Sequence, residues 1–172
     1  MRCIVEVGAA AVTMHEVAEE AGVSKGLIHY HFHDKETLLA RVLEWLTRAV
    51  TARERSALAD SAPRTAVDDL WGWLSGELDR GHIRVLLELT EWREPLVQRA
   101  ARESARDRRA IAAESTERLF SLLGLKPRIP IGLLADVVVA FVDGVAIGST
   151  DPDFNPRAAF DVFWLAVLSL AE

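Results

Sequence analysis

Cysteine is almost missing from this chain: Cys3 stands alone among 172 residues. That excludes an internal disulfide framework and any multi-cysteine zinc site. A reducing setting fits, no signal peptide is visible, and the protein is expected to be cytoplasmic. Positive charge is also short. Lys and Arg number 20 against 26 Asp and Glu, for a net charge of −6. A general nucleic-acid coat would be basic, so that class is excluded, while a regulator applying a small local patch is not. Within the first fifty residues Arg2, Lys25, Lys35, Arg41 and Arg48 are outnumbered by Glu6, Glu16, Glu19, Glu20, Asp34, Glu36 and Glu44. Any phosphate neutralisation there must be local, assisted by helix N-termini. Signatures of catalysis are lacking. There is no phosphate-binding glycine loop, no nucleophile elbow and no His-Glu-x-x-His, so neither enzymatic activity nor a cofactor is expected. The most apolar stretch, Ile129 to Ile147, is about the length of a membrane span but carries Asp136 and Asp143, so no membrane role is expected. No strand, repeat or low-complexity tract is evident.

Half the residues are hydrophobic, and they recur at helical spacing. The pattern predicts an all-α protein. One helix runs from Lys35 to about Leu58. A second spans about Thr65 to Arg80 and ends at Gly81. A short one covers about His82 to Trp92. A long helix opens on Pro95 and stops at Gly124 after Leu123. Two apolar helices close the chain, about Ile131 to Ile147 and Pro156 to Ala171.

Residues Thr13 to Leu39 are the most informative. Thr13 and Glu16 have capping-box spacing. Gly22 supplies the permissive backbone of a sharp turn. Ser24 and Asp34 are candidate caps for the next two helices. Ile28 and Phe32 are the expected inward residues of the helix that Ser24 caps. Two short helices joined by a glycine turn form a helix-turn-helix, whose second helix is shaped for a DNA major groove. Lys25 can reach phosphate or guanine, and Gly26 permits close approach to DNA. Alternating His29, His31 and His33 suggest a metal, but in a helix two steps turn by about 200°, so no metal site is expected.

The string Ala21-Gly22-Val23-Ser24-Lys25-Gly26, with Tyr30-His31-Phe32 and Lys35-Glu36-x-Leu38-Leu39, resembles the DNA-binding region of the tetracycline-repressor (TetR) family of transcriptional regulators. The resemblance covers roughly Gly8 to Leu43. It implies DNA contacts from Thr13, Ser24, Lys25, Gly26, Leu27, His29, Tyr30, His31 and Lys35. His29 and Leu27 depart from the family pattern, which favours tyrosine and a small polar residue there. The family's first helix is longer than Met1 to Val7 allows, so the helix before Gly8 is expected to be truncated or to continue upstream. The implied division is a helix-turn-helix domain over 1–45 and a ligand-binding and dimerisation domain over 46–172.

The two terminal helices are apolar nearly all round, and such helices are buried all round. One face can pack on its own chain and the other on a second copy, giving a four-helix bundle about a two-fold axis. The expected interface comprises Val138, Phe141, Val142, Val145, Phe160, Phe163, Trp164 and Val167. Trp71, Trp92, Phe120 and Phe141 fall on helices that surround the ligand cavity in the family, and suit a small apolar or aromatic effector. Trp71 and Trp73 point to different faces. The expected function is a ligand-released repressor on a palindromic double-stranded DNA operator. The alternative is a dimeric small-molecule-binding protein with weak or lost DNA binding.

Overall fold

A computed structural model describes residues 1–172. Nine helices follow in order: α1 Arg2–Ala11, α2 Met14–Glu20, α3 Lys25–Phe32, α4 Lys35–Ala57, α5 Ala66–Asp79, α6 His82–Thr90, α7 Pro95–Leu123, α8 Ile131–Gly148 and α9 Pro156–Ser169. The only extended pairing is an isolated bridge between Pro127 and Ala171.

Local chemistry sets the first boundaries. The Thr13 hydroxyl accepts from the Glu16 amide at 3.2 Å, and the Glu16 carboxylate accepts from the Thr13 amide at 2.7 Å. This reciprocal pair satisfies two donors that the start of α2 would otherwise leave open. Ser24 caps α3 through the Leu27 amide, and Asp34 caps α4 through the Thr37 amide. Gly22 takes φ +66° in the turn between α2 and α3. Inside α1, Gly8 leaves helical geometry at φ +84°. A Cβ there would also stand 3.1 Å from the Glu88 carboxylate, so only glycine fits this kink.

Two hydrophobic clusters organise the packing. Met14, Ala18, Ile28 and Leu38 hold α2 and α3 to the start of α4. A larger core includes Leu39, Leu43, Leu46, Val50 and Leu58 of α4 with buried residues of α5 to α9. Ile4, Ala9 and Val12 belong to this larger core, where α1 packs against α6. The most extensive helix pairing is α4 on α7, followed by α7 on α8. Across the first of these seams the Thr47 and Ser104 hydroxyls bond at 2.6 Å. Helix α8 is long and apolar enough to cross a membrane by length and composition alone. In this fold it supplies Leu134, Ala135, Val138, Val142, Val145 and Ala146 to the core. Its two carboxylates, Asp136 and Asp143, pair with Arg109 and Arg108 of α7.

A buried ionic knot ties α4, α5 and α6. Glu77 is fully buried. It receives a forked pair from Arg53, one arm at 3.0 Å, and faces His82 Nδ1 at 2.8 Å. Removing one member of a buried pair strands the others. Arg53 keeps partial solvent access, so the loss should sit at the low end of that range. Glu77→Ala is expected to cost about 3 kcal/mol, read as a lower urea midpoint with an unchanged slope. A midpoint equal to that of the parent would show that the knot is incidental.

Candidate nucleic-acid interface and buried cavity

Helix α3 turns Ile28 inward and leaves Lys25, Gly26, Leu27, His29, Tyr30 and His31 exposed. Tyr30 is 76% exposed and meets the His31 ring edge-on at 5.4 Å. His29 Nδ1 lies 3.3 Å from the His33 carbonyl, which orients the imidazole along the helix. Thr13 and Ser24 are exposed at the two helix starts, their hydroxyls engaged in the caps. The nine residues expected to meet DNA do not all share one environment. Lys35 is half-buried: its ammonium donates to the Ala10 carbonyl at 2.7 Å and lies 5.4 Å from the Trp92 ring centre. It tethers α4 to α1 and to the segment after α6.

The family model described as bacterial regulatory proteins, tetR family, matches residues 1–42. Residues 1–42 are thus similar to the N-terminal region of the tetR family. Relatives include the HTH-type transcriptional regulator BetI 2 of Chromohalobacter salexigens, 38% identical over 87 residues, covering 48% of this chain and 40% of that protein. BetI of Burkholderia thailandensis is 39% identical over 67 residues, covering 37% of this chain and 34% of its own length. The aligned stretch thus spans about two-fifths or less of these curated relatives. The fold extends the likeness along nearly the whole chain. NemR of E. coli in its reduced form superposes with a TM-score of 0.75 at 17% identity, covering 99% of this chain and 92% of NemR. FadR of Bacillus subtilis in complex with stearoyl-CoA gives 0.71 at 17%, covering 96% and 92%. The SmeT–triclosan complex gives 0.69 at 20%, covering 96% and 86%. TetR-family neighbours share this arrangement of an N-terminal helix-turn-helix followed by a helical C-terminal region.

In that C-terminal region the expected ligand residues do not converge. Trp71 packs on the Phe160 ring at 5.3 Å, with the Arg157 guanidinium 5.4 Å from its centre. Trp92 sits beneath Lys35, and Phe120 is sealed in the core. Only Phe141 of the four lines a cavity, together with Trp73, Leu74, Phe160, Phe163, Trp164 and the carboxylate of Glu54. The reason is helical phase: Trp71 and Trp73 lie about 200° apart, and α5 turns Trp73 toward the space. The cavity measures about 20 Å³, room for about one water. No drug-sized void lies among Trp71, Trp92, Phe120 and Phe141.

The residues expected at the interface lie mostly inside the protomer. Val138, Val142, Val145, Phe160, Trp164 and Val167 are buried inside the protomer, and Phe141 and Phe163 are half-buried. Within the protomer α8 packs on α6 and α7, and α9 on α5 and α8. The outward apolar residues of α8 and α9 are Leu133, Val137, Ile147, Val162, Leu165 and Leu170.

Glu54 was not singled out from the sequence, although a signal was there. It falls on the inward stripe of α4, with Leu43, Thr47, Val50 and Leu58 at helical spacing. It is 6% exposed. Burial pushes its carboxyl up to about 7. The Ser115 hydroxyl and the Arg108 charge oppose that rise, and the Glu114 charge adds to it. Arg108 is itself paired with Asp143. An acid whose pKa is raised on folding holds its proton more tightly in the native state. Its burden on stability therefore grows as pH rises from about 4.5, the reference value, to about 7, and is constant above. Glu54→Gln removes that burden. The variant should match the parent near pH 4.5 and exceed it by up to about 3 kcal/mol above pH 7. Denaturant melts at the two pH values give the comparison, and a difference independent of pH would show that Glu54 is not a strained acid.

Proposed function

We propose that the protein is a homodimeric, DNA-binding transcriptional regulator of the bacterial cytoplasm, a ligand-released repressor acting on a palindromic operator. The observation that carries this reading is α3, a capped helix behind a glycine turn that presents Lys25, Gly26, Leu27, His29, Tyr30 and His31 together to solvent. Such a helix fits a major groove, with base edges met by its N-terminal residues. Similarity of part of the chain to HTH-type transcriptional regulators supports it. Residues 1–45 act as the DNA-binding unit and 46–172 as the receptor and dimerisation unit. The same fold holds stearoyl-CoA in FadR and triclosan in SmeT, which supports a small-molecule role for the second unit. An effector releases DNA by binding the DNA-incompetent state better than the competent one.

The outward apolar residues of α8 and α9 favour pairing of two copies through these helices. Leu165 and Val162 are 74% and 67% exposed, so an aspartate there does not disturb the protomer. Leu165→Asp is expected to yield monomers with unchanged helical content in sedimentation velocity. A Leu165→Asp, Val162→Asp double variant that stays dimeric would place the interface elsewhere. Trp164→Asp is the wrong probe, because its side chain lies in the core.

For DNA, Lys25→Ala should weaken binding to the protein's own upstream region and lower the salt slope by about one unit. Lys35→Ala should leave the salt slope alone, since its ammonium is already committed to Ala10 and Trp92. Footprinting and salt titrations separate the two. Identical behaviour of the Lys25 variant and the parent would remove α3 as the reading helix.

A further inference from the structure

Where α4, α7 and α8 meet, one guanidinium serves a seam that holds two carboxylates. Arg108 of α7 and Glu54 of α4 are both buried, 8% and 6% exposed. They line the same small void of about 10 Å³, together with Trp73 and Val142. Yet Arg108 pairs with Asp143 of α8 and not with Glu54. Its grip on Asp143 is uneven. Nη2 is close to Oδ1, whereas Nη1 reaches Oδ2 only at 3.4 Å, near the limit of a hydrogen bond. Nη1 is therefore the nitrogen that can be drawn away at least cost. Asp143 keeps partial solvent access, so water can take over the oxygen that Nη1 leaves.

The other charges around Glu54 are already engaged. On α4 itself, Arg53 is committed to Glu77 of α5, beside His82 of α6. Arg55 is committed to Glu114 of α7 through two bonds of 2.8 Å. On α8, Asp136 is held by Arg109. Helix α9 brings only Phe160, Phe163 and Trp164 to the cavity wall. Arg108 is thus the cation in this seam that can answer a charge on Glu54.

We propose that ionisation of Glu54 draws Nη1 of Arg108 across the shared void, so that one guanidinium bridges Glu54 and Asp143 and ties α4 to α8 through α7. With Glu54 protonated, Arg108 holds α8 alone, as in this structure. Arginine can serve two carboxylates at once, one from each terminal nitrogen of its planar fork. The void gives that fork somewhere to move, which a fully packed seam would not. Burial of Glu54, opposed by Ser115 and Arg108, places its proton change at about 7. The bridge therefore forms as pH rises from about 6 to about 8. Above that range the helix on which α2 and α3 pack is tied to the helix that bears the outward Leu133 and Val137. Below it, that tie is absent.

The test follows both partners by NMR in the full chain. With isotope-labelled arginine, the Arg108 side-chain resonance, assigned through Arg108→Lys, should shift with a midpoint of about 7. In Glu54→Gln it should stay in place. With carboxyl-labelled glutamate, Glu54 is the resonance that Glu54→Gln removes. Asp143→Asn takes away the competitor and leaves Arg108 to Glu54. It should lower the Glu54 midpoint by about one unit or more. Asp136→Asn removes the same charge from the same helix and should leave the midpoint alone, because its partner is Arg109. An Arg108 resonance that does not move with Glu54 overturns the bridge. So does a Glu54 midpoint that is equal in the parent and Asp143→Asn, or that falls equally in the two α8 variants. Where Asp143→Asn does not fold, the Arg108 titration in the parent and in Glu54→Gln decides alone.

Discussion

The seam between α4 and α7 is the constraint from which the other parts take their places. Helix α4 spans 23 residues, about 34 Å at the usual rise. That is long enough to serve two cores in turn. Its first turn, capped by Asp34, gives Leu38 to the small cluster under α2 and α3. Its later turns give Leu43, Leu46 and Val50 to the large one. Helix α7 lies along it, and α8 is in turn held to α7 by packing and by the pairs of Arg108 and Arg109 with Asp143 and Asp136. Position of the exposed α3 surface and shape of the cavity are thus set by one rigid element.

Much of this architecture is legible in the chain because its punctuation is local. Thr13, Glu16, Ser24 and Asp34 act on backbone groups within three residues of themselves, so their roles follow from spacing. Pro95 and Gly124 mark the ends of α7 for the same reason. What depends on non-local packing is less legible. The apolar residues of α8 and α9 announce two buried faces without saying which face meets which neighbour. The chain's own helices claimed Val142, Phe160 and Trp164, leaving Leu165 and Val162 outside. The aromatic residues carry a similar ambiguity: each reads as lining or as packing until the phase of its helix is known. Lys35 looked like a phosphate contact from its place at a helix start, but a partner 25 residues earlier in the chain holds it. Glu54 was hidden by the opposite habit, since a glutamate in a helix ordinarily reads as solvated.

The inward carboxylate has a cost that a folding role does not explain. A leucine or glutamine at position 54 would fill the same stripe without requiring a proton near neutral pH. A carboxylate buried in the same wall as Leu74, which is packed without penalty, is a local conflict that packing alone does not call for.

The residue Ala10, which has no chemistry of its own, is gripped at both ends of its backbone. Its amide donates to Glu88 of α6 at 3.2 Å, and its carbonyl accepts from Lys35 of α4 at 2.7 Å. One grip comes from the helix that borders the large core, the other from the helix on which α2 and α3 pack. The kink at Gly8 frees this short piece of chain to sit between them. A slide of α6 relative to α4 must therefore lengthen one of two hydrogen bonds to a single residue, which makes Ala10 a mechanical fuse between the two halves of the protein.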